Sequence, residues 1–575
     1  MKRLLIPLLA ILLIASCSEE EITLENESQL NQEKIAWLKA VDSYKADYER
    51  QLNNIKKESD LIKRNTALAF LRLTETKAER VSFRKNQLDN LSFVNKKSLI
   101  KVPEDYASLQ EAVDNAEPNG EIQIIGNLEN QGEVFVDVQG IKIKGADNSS
   151  ISGTAINLLA EDIEVSNLDL QIKLVIGSGA NGAKVLNNKL KSLSTETDAL
   201  ILMNNVSGCT IKDNTISDEG NTLISGISAQ DCSDNEFKSN TIYGGINTFA
   251  HLLFNNSTNN EIKDCHIENG GNIDGAGVLF EGNNNDNIIK GCNIQNVGGD
   301  GVTFIGGSFE NRGKNNQILN CTVKNYNGGW FSRGLVMVHV EASVIRNCEV
   351  NNKDADGSEN VFSEGINLVN ATDCKIDNCI VEYNNGGGIA LVFNLRGTNS
   401  LINCKVNNNG GALIKSQLGC FGVTTIPQAV NGSIIIDNCV VSNNIAVGDP
   451  LPYPFYIRAA IAVGYSYYGP SNSFSHIVSN CKANNNKGTV AGGIVAAAFS
   501  DFFGQNPNVT FNLYNNVANG NKNGIGLSGL ENAILTNNTA RGNSICDFVE
   551  DDLTGPVIGT VLTNNNFGTT CVVNN

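Results

Sequence analysis

Three titratable residues each stand directly before a glycine and an apolar residue: Asp300 before Gly301-Val302, Arg333 before Gly334-Leu335, and Glu364 before Gly365-Ile366. His339 and Glu341 follow Arg333 a few residues on. If the three share a column, Arg333 can grip the carboxylate of an acidic sugar in a two-pronged hydrogen bond. Asp300 or Glu364 can then move a proton to or from a reacting atom. As solvated turn residues, the same three would form only weak surface ion pairs. Candidate substrate contacts are His339 and the tyrosines Tyr465, Tyr467 and Tyr468, because aromatic faces stack on the apolar C–H faces of sugars. These tyrosines lie in a long insertion with Pro450, Pro452, Tyr453, Pro454, Phe455 and Tyr456, and Phe502 and Phe503 follow later. A cluster folded back on the body is the alternative. The histidines, at 251, 266, 339 and 476, share no spacing. No metal site is expected, and the residues name no cofactor.

Residues so far apart can converge only if the chain repeats. It does. An apolar residue, two polar or small residues, Asn or Cys, any residue and an apolar residue recur from end to end. Ile211-Lys212-Asp213-Asn214-Thr215-Ile216 and Ile318-Leu319-Asn320-Cys321-Thr322-Val323 are examples. The column runs Asn188, Asn214, Asn240, Cys265, Cys292, Cys321, Cys348, Cys379, Cys404, Cys439, Cys481, Asn516, Asn538 and Asn565, at intervals mostly of 22 to 35 residues with one of 42. Each unit pairs short strands of alternating polarity with Asn and Gly, which supply left-handed corners. The composition agrees, with 55 Gly against 10 Pro and only 2 Trp. Eight of the fifteen cysteines occupy the column. Zinc needs ligands that converge, as Cys-x-x-Cys pairs do, and these are a whole repeat apart. Neighbouring coils near 4.8 Å are slightly too far for relaxed disulfides, so buried reduced thiols are expected. Cys374 lies outside the column.

Before the repeats, Leu109, Ala112, Val113 and Ala116 have helical spacing and are followed by the apolar run Ile122 to Ile125. A short amphipathic helix is expected here, covering an open end ahead of the first strand. This stretch, from Val102-Pro103-Glu104-Asp105-Tyr106 onward, resembles the entrance to the β-helix of pectate lyase-like and pectin esterase-like proteins. The repeats resemble those of pectate lyase-like and copper-accessory (NosD-like) β-helix families. The resemblance covers roughly Lys101 to Asn575 and implies an all-β fold, a right-handed parallel β-helix solenoid over residues 99–575 with an α-helical segment before it. It implies a protein that binds or processes polysaccharide, without choosing among lyase, hydrolase and epimerase. The paired aspartates and Gly-His-Gly segment of polygalacturonases are absent, Gly299-Asp300-Gly301 being only a fragment. An epimerase-like Asp-Pro-His and a lyase signature are absent too. A non-catalytic adhesin or structural surface protein is therefore the alternative.

At the N-terminus, basic Met1-Lys2-Arg3 precedes an apolar run from Leu4 to Ile14 that is too short for a mature membrane span. Ile14-Ala15-Ser16-Cys17 resembles the lipobox of bacterial lipoproteins, which implies a signal peptide over residues 1–16 and lipidation of Cys17. Ser18-Glu19-Glu20-Glu21 resembles an acidic signal that sends lipoproteins to the outer face of the outer membrane. Over residues 17–98, Ile35, Leu38, Val41, Tyr48, Leu52, Ile55 and Ile62 recur at helical spacing. This segment reads as a lipid-anchored spacer or short oligomerising coiled coil, or as a helix packed on the solenoid. A net charge of −18 argues against a nucleic-acid partner, which needs clustered Lys and Arg.

Overall fold

The computed structural model describes residues 49–50, 53–54, 56–57, 59–61, 63–83 and 97–573, apart from 193–198, 221–224, 272–274, 309, 327–330, 354–361, 385, 411–422, 428–430, 447–458, 467–472, 489–491, 499–507 and 552–555. Two compact units result: residues 54–357 with 366–380, and residues 1–53 and 358–365 with 381–575. Each is built of parallel strands of a right-handed β-helix.

In the upstream unit, one coil consists of a long strand, Ala199–Asn204, and two short ones, Thr210–Lys212 and Thr215–Ser217. The next coil repeats this as Ser225–Gln230, Glu236–Lys238 and Thr241–Tyr243, in strict register. Register is fixed by what fills the interior. Ile201, Ile227, Leu252, Val278, Val302 and Leu335 form one fully buried row on the long strands. Ile211, Phe237, Ile262, Ile289, Ile318, Ile345 and Ile376 form another on the short ones. A slip by one residue would turn every one of these side chains outward. Phe254, Phe280 and Phe304 stack within the core at ring separations of 4.3 and 4.6 Å, a column of aromatics inside a chain otherwise poor in them.

The repeat column sits at the tight corner between the two short strands. The residue before it is left-handed, as at Asp213, Asn320 and Asn347, a conformation that Asn and Asp tolerate better than most residues. The column residue itself closes a hydrogen-bond ladder. Asn214 Nδ2 donates to Val185 O of the coil before, at 2.8 Å, and to Asn240 Oδ1, at 3.0 Å. Where cysteine takes over, its thiol donates to the same carbonyl row: Cys292 Sγ to Ile262 O at 3.7 Å and Cys348 Sγ to Ile318 O at 3.5 Å. Cysteine thus replaces the amide donor without disturbing the corner. These thiols are buried and in no disulfide. Burial pushes the Cys232 and Cys374 thiols, which lie outside the column, up to about 12.

The end helix, Leu109–Asn115, is capped by Ser108 Oγ accepting from Glu111 N and buries Leu109, Ala112 and Val113. It does not precede the first strand. Lys97–Val102 comes before it and pairs with Ala116–Ile124, because Ile100 and Val102 alternate inward.

Residues 63–83 form a helix that packs on the upstream unit, as the helix-on-solenoid alternative expects. Phe70, with Leu73 beside it, packs on Val175, Ala199 and Leu202. Ala199 and Leu202 face outward on the long strands, the opposite side from Ile201. Lys77 Nζ donates to Ser178 O at 2.8 Å, Arg80 pairs with Asp114 and Asp137, and Lys63 Nζ lies 3.1 Å from Glu281. Ser59 Oγ donates to Asn255 Oδ1 and to Glu281. Ile35, Leu38, Val41, Tyr48, Leu52, Ile55 and Ile62, the apolar face read from the sequence, lie outside the described residues. Residues 1–48 lie outside the described residues.

In the downstream unit, Gly432–Asp437, Phe474–Ser479 and Val509–Tyr514 stack in register. A second amide ladder, Asn384, Asn409, Asn444, Asn486, Asn521 and Asn543, ends on Asp547, whose Oδ1 accepts from Asn543 N and Nδ2. Cys546 and Cys571 form a disulfide. Repeat spacing did not point to it, since both lie outside the column.

His476 is fully buried between Phe474 and Phe511, stacked on the latter at 4.6 Å. Burial pushes its pKa down to about 3. The unfolded chain therefore binds a proton that the folded chain refuses. Stability is complete above the unfolded value near 6.5 and is lost as pH falls toward 3, with a slope approaching about 1.4 kcal/mol per pH unit. Urea midpoints measured between pH 7 and 4 should fall less steeply in His476→Phe than in the parent; parallel curves would show that His476 does not contribute.

Candidate functional site

Asp300 opens the long strand Asp300–Gly306, and Arg333 stands near the start of Phe331–Val338. Val302 pairs with Leu335, so Asp300 and Arg333 are neighbours in adjacent coils. The glycine between Asp300 and Val302 is a steric requirement. A Cβ on Gly301 would lie 2.4 Å from Gly334 O and 2.4 Å from Val323 Cγ1. With the backbone pressed against the next coil here, Asp300 stands on the same side as Thr303, whose Oγ1 donates to Asp300 Oδ2 at 3.0 Å.

Asp300 and Arg333 meet in a two-pronged pair. Arg333 Nε donates to Oδ1 at 3.2 Å and Nη2 to Oδ2 at 2.8 Å, while the Arg333 backbone N–H adds a 2.8 Å bond to Oδ1. Their exposures are 3% and 2%. They are not solvated turn residues, and the weak-surface-pair alternative does not describe them. Four donors on two oxygens hold the carboxylate in one orientation. Chemically this is a fixed charge pair rather than a poised base, because both oxygens already accept hydrogen bonds.

Glu364 lies on strand Phe362–Val369, is also buried, and belongs to the other compact unit. Gly365 obeys the same steric rule, its Cβ falling 2.1 Å from Val381 Cγ1 and 2.5 Å from Gly388 O. The structure thus brings Asp300 and Arg333 into contact and places Glu364 on a comparable strand start. His339 is elsewhere. It follows Arg333 by six residues, just past the end of the strand at Val338, about 20 Å away at strand rise. There it adopts a left-handed φ of 52°, and burial together with the nearby Arg312 charge pushes its pKa down to about 4. Arg312 itself donates to Val340 O and Asn370 O. Glu341 pairs with Lys314 at 3.6 Å. Tyr465 is in strand Ala459–Ser466, but its side chain, like Tyr467, Tyr468 and Cys17, lies outside the described residues. Among the described residues, no three His, Cys, Asp or Glu side chains converge as metal ligands.

A buried outer face escaped the sequence reading. Phe249, Ala250, Leu253, Ala276 and Leu279 form a buried cluster with Ile305 against it, although Leu253 and Leu279 are neighbours in sequence of the inward Phe254 and Phe280. The signal was present in Leu252-Leu253-Phe254 and Val278-Leu279-Phe280. Continuous apolar runs mark strands covered on both faces, whereas alternation marks one solvated face.

Residues 199–364 and 310–430 match the family described as right handed beta helix region. No curated protein sequence matches the chain. Among solved structures, the chain is similar to the A-module of a mannuronan C-5 epimerase of Azotobacter vinelandii, at 12% identity over 58% of this chain and 91% of that one, with a TM-score of 0.33. It is also similar to the catalytic unit of an alpha-1,3-glucanase from Streptomyces thermodiastaticus, at 10% identity over 64% of each chain, TM-score 0.32. A surface adhesin of Streptococcus pneumoniae matches at 10% identity over 67% of this chain and 91% of that one, TM-score 0.34.

Proposed function

We propose that this right-handed β-helix is a lipid-anchored surface protein that binds polysaccharide along its long-strand face without cleaving it. The non-catalytic form of this reading is carried by one observation: both oxygens of Asp300 already accept bonds from Arg333 and Thr303. A general base needs an oxygen within reach of the substrate proton. The polysaccharide ligand rests on the likeness of the repeats to pectate lyase-like proteins. The anchor rests on Cys17 in its lipobox-like setting, and display on the exterior of the outer membrane rests on Glu19-Glu20-Glu21. Nucleic acid is not a partner on this reading.

A second reading, an adhesin or structural lipoprotein without a carbohydrate ligand, is favoured by the helix at residues 63–83. It occupies the outer face of the early long strands, where a sugar chain would otherwise lie.

Whole cells fed labelled palmitate should label the parent and not Cys17→Ala, and protease added outside should remove the protein. Immobilised uronate and neutral polysaccharides should retain the purified chain. Retention by none of them, with labelling intact, would leave the adhesin reading in its place.

A further inference from the structure

The cysteine column has a geometry that its role as a corner filler does not require. In the upstream unit Cys265, Cys292, Cys321, Cys348 and Cys379 occupy successive coils, linked by Asn293 N to Cys265 O, Thr322 N to Cys292 O, Glu349 N to Cys321 O and Ile380 N to Cys348 O, each 2.9 Å. In the downstream unit Cys404, Cys439 and Cys481 do the same, through Val440 N to Cys404 O and Lys482 N to Cys439 O at 2.8 Å. All eight are buried and in no disulfide. Thiol faces thiol from coil to coil. Their spacing is set by the strand repeat of about 4.8 Å. A disulfide needs its sulfurs about 2 Å apart and does not suit this row. Two metal–thiolate bonds of about 2.3 Å laid end to end span about 4.6 Å, which does.

We propose that each run of stacked cysteines is a binding site for a soft, two-coordinate d10 metal cation held in line between thiolates of adjacent coils. Thiolate sulfur selects soft cations over hard ones. Zinc is excluded by its preference for four convergent ligands. Binding one divalent cation converts two thiols to two thiolates and releases two protons, forming two metal–sulfur bonds with no change of oxidation state. The product is neutral, so no net charge is left in the apolar interior. Cys209, Cys232 and Cys374, which lie in no such run, offer one sulfur each.

The reduced full-length chain, titrated with Hg(II) both when folded and during refolding, is expected to show two sulfurs per metal at about 2.3 Å by X-ray absorption. Pairing five thiols gives two sites and pairing three gives one, so saturation should come near three equivalents, with two protons released per metal. The double variant C292N/C348N removes the thiols on both sides of Cys321 and the one next to Cys265 in this run. It should lose about two of the three equivalents while keeping its circular dichroism and melting point, because Asn already fills this column at Asn214 and Asn240. Cys374→Ala should change nothing, and Zn(II) should not be retained. A folded double variant that still takes up the full two-sulfur complement would overturn the proposal. So would a parent chain that shows no two-sulfur mercury under either loading condition.

Discussion

Replacing Asp300 by alanine should cost the upstream unit about 3–5 kcal/mol, the usual penalty for removing one partner of a buried ion pair. The cause is less the lost attraction than the guanidinium left behind. Arg333 is 2% exposed and loses the acceptor of its Nε and Nη2. Its backbone N–H and the Thr303 hydroxyl lose a partner as well. The double variant Asp300→Ala/Arg333→Met should recover much of this loss, since an apolar side chain of similar length buries no unpaired charge. Denaturant unfolding of the single and double variants measures both. Equal losses in the two would mean that the packing, rather than the charge, is what Asp300 supports.

The second large effect belongs to the amide ladders. Asn260 Nδ2 donates to Cys232 O at 3.2 Å and to Asn287 Oδ1 at 3.1 Å, while its Oδ1 accepts from Asn235 N and Nδ2. Leucine has the same branching at Cγ and none of these groups. Asn260→Leu leaves the Asn235 backbone N–H without its acceptor and takes one bond each from the Cys232 carbonyl and the Asn235 and Asn287 amides, which keep their others, and is expected to cost the upstream unit about 4–6 kcal/mol, from about 1–3 for the orphaned group and about 1 for each lost bond. Asn214→Cys should cost less, about 1–3 kcal/mol, because a thiol at that corner reaches the same carbonyl row as Cys292 and Cys348 do and the group left without its acceptor is the Asn188 backbone N–H. Soluble yield and thermal melting separate the two outcomes. A cysteine variant as damaged as the leucine one would show that thiol and amide are not interchangeable here.

The contrast between these residues explains what could be read from the chain and what could not. The coil was legible because its physics is local and repeated: a left-handed residue, a ladder residue and an inward apolar residue recur at Asp213-Asn214-Ile216 and Asn320-Cys321-Val323. Asp300 and Arg333 could be proposed as neighbours because each directly precedes a glycine and an apolar residue. Their burial was not legible, since it depends on what lies over the outer face, and loops of unequal length decide that. The helix over residues 63–83 shows the same limit. The periodicity read from Ile35 to Ile62 fits a coiled coil, a spacer and a packed helix alike, and that Phe70 packs on Ala199 and Leu202 depends on residues far away in sequence. The disulfide at Cys546 and Cys571 was hidden because neither residue obeys the repeat.

The most direct test of the proposed function is to incubate the purified chain with uronate and neutral polysaccharides and to follow chain length and the absorbance of unsaturated ends. The account predicts that at least one polymer is bound and that every polymer keeps its length, in the parent and in Asp300→Asn alike. Shortened chains or unsaturated ends that disappear in a folded Asp300→Asn variant would contradict it.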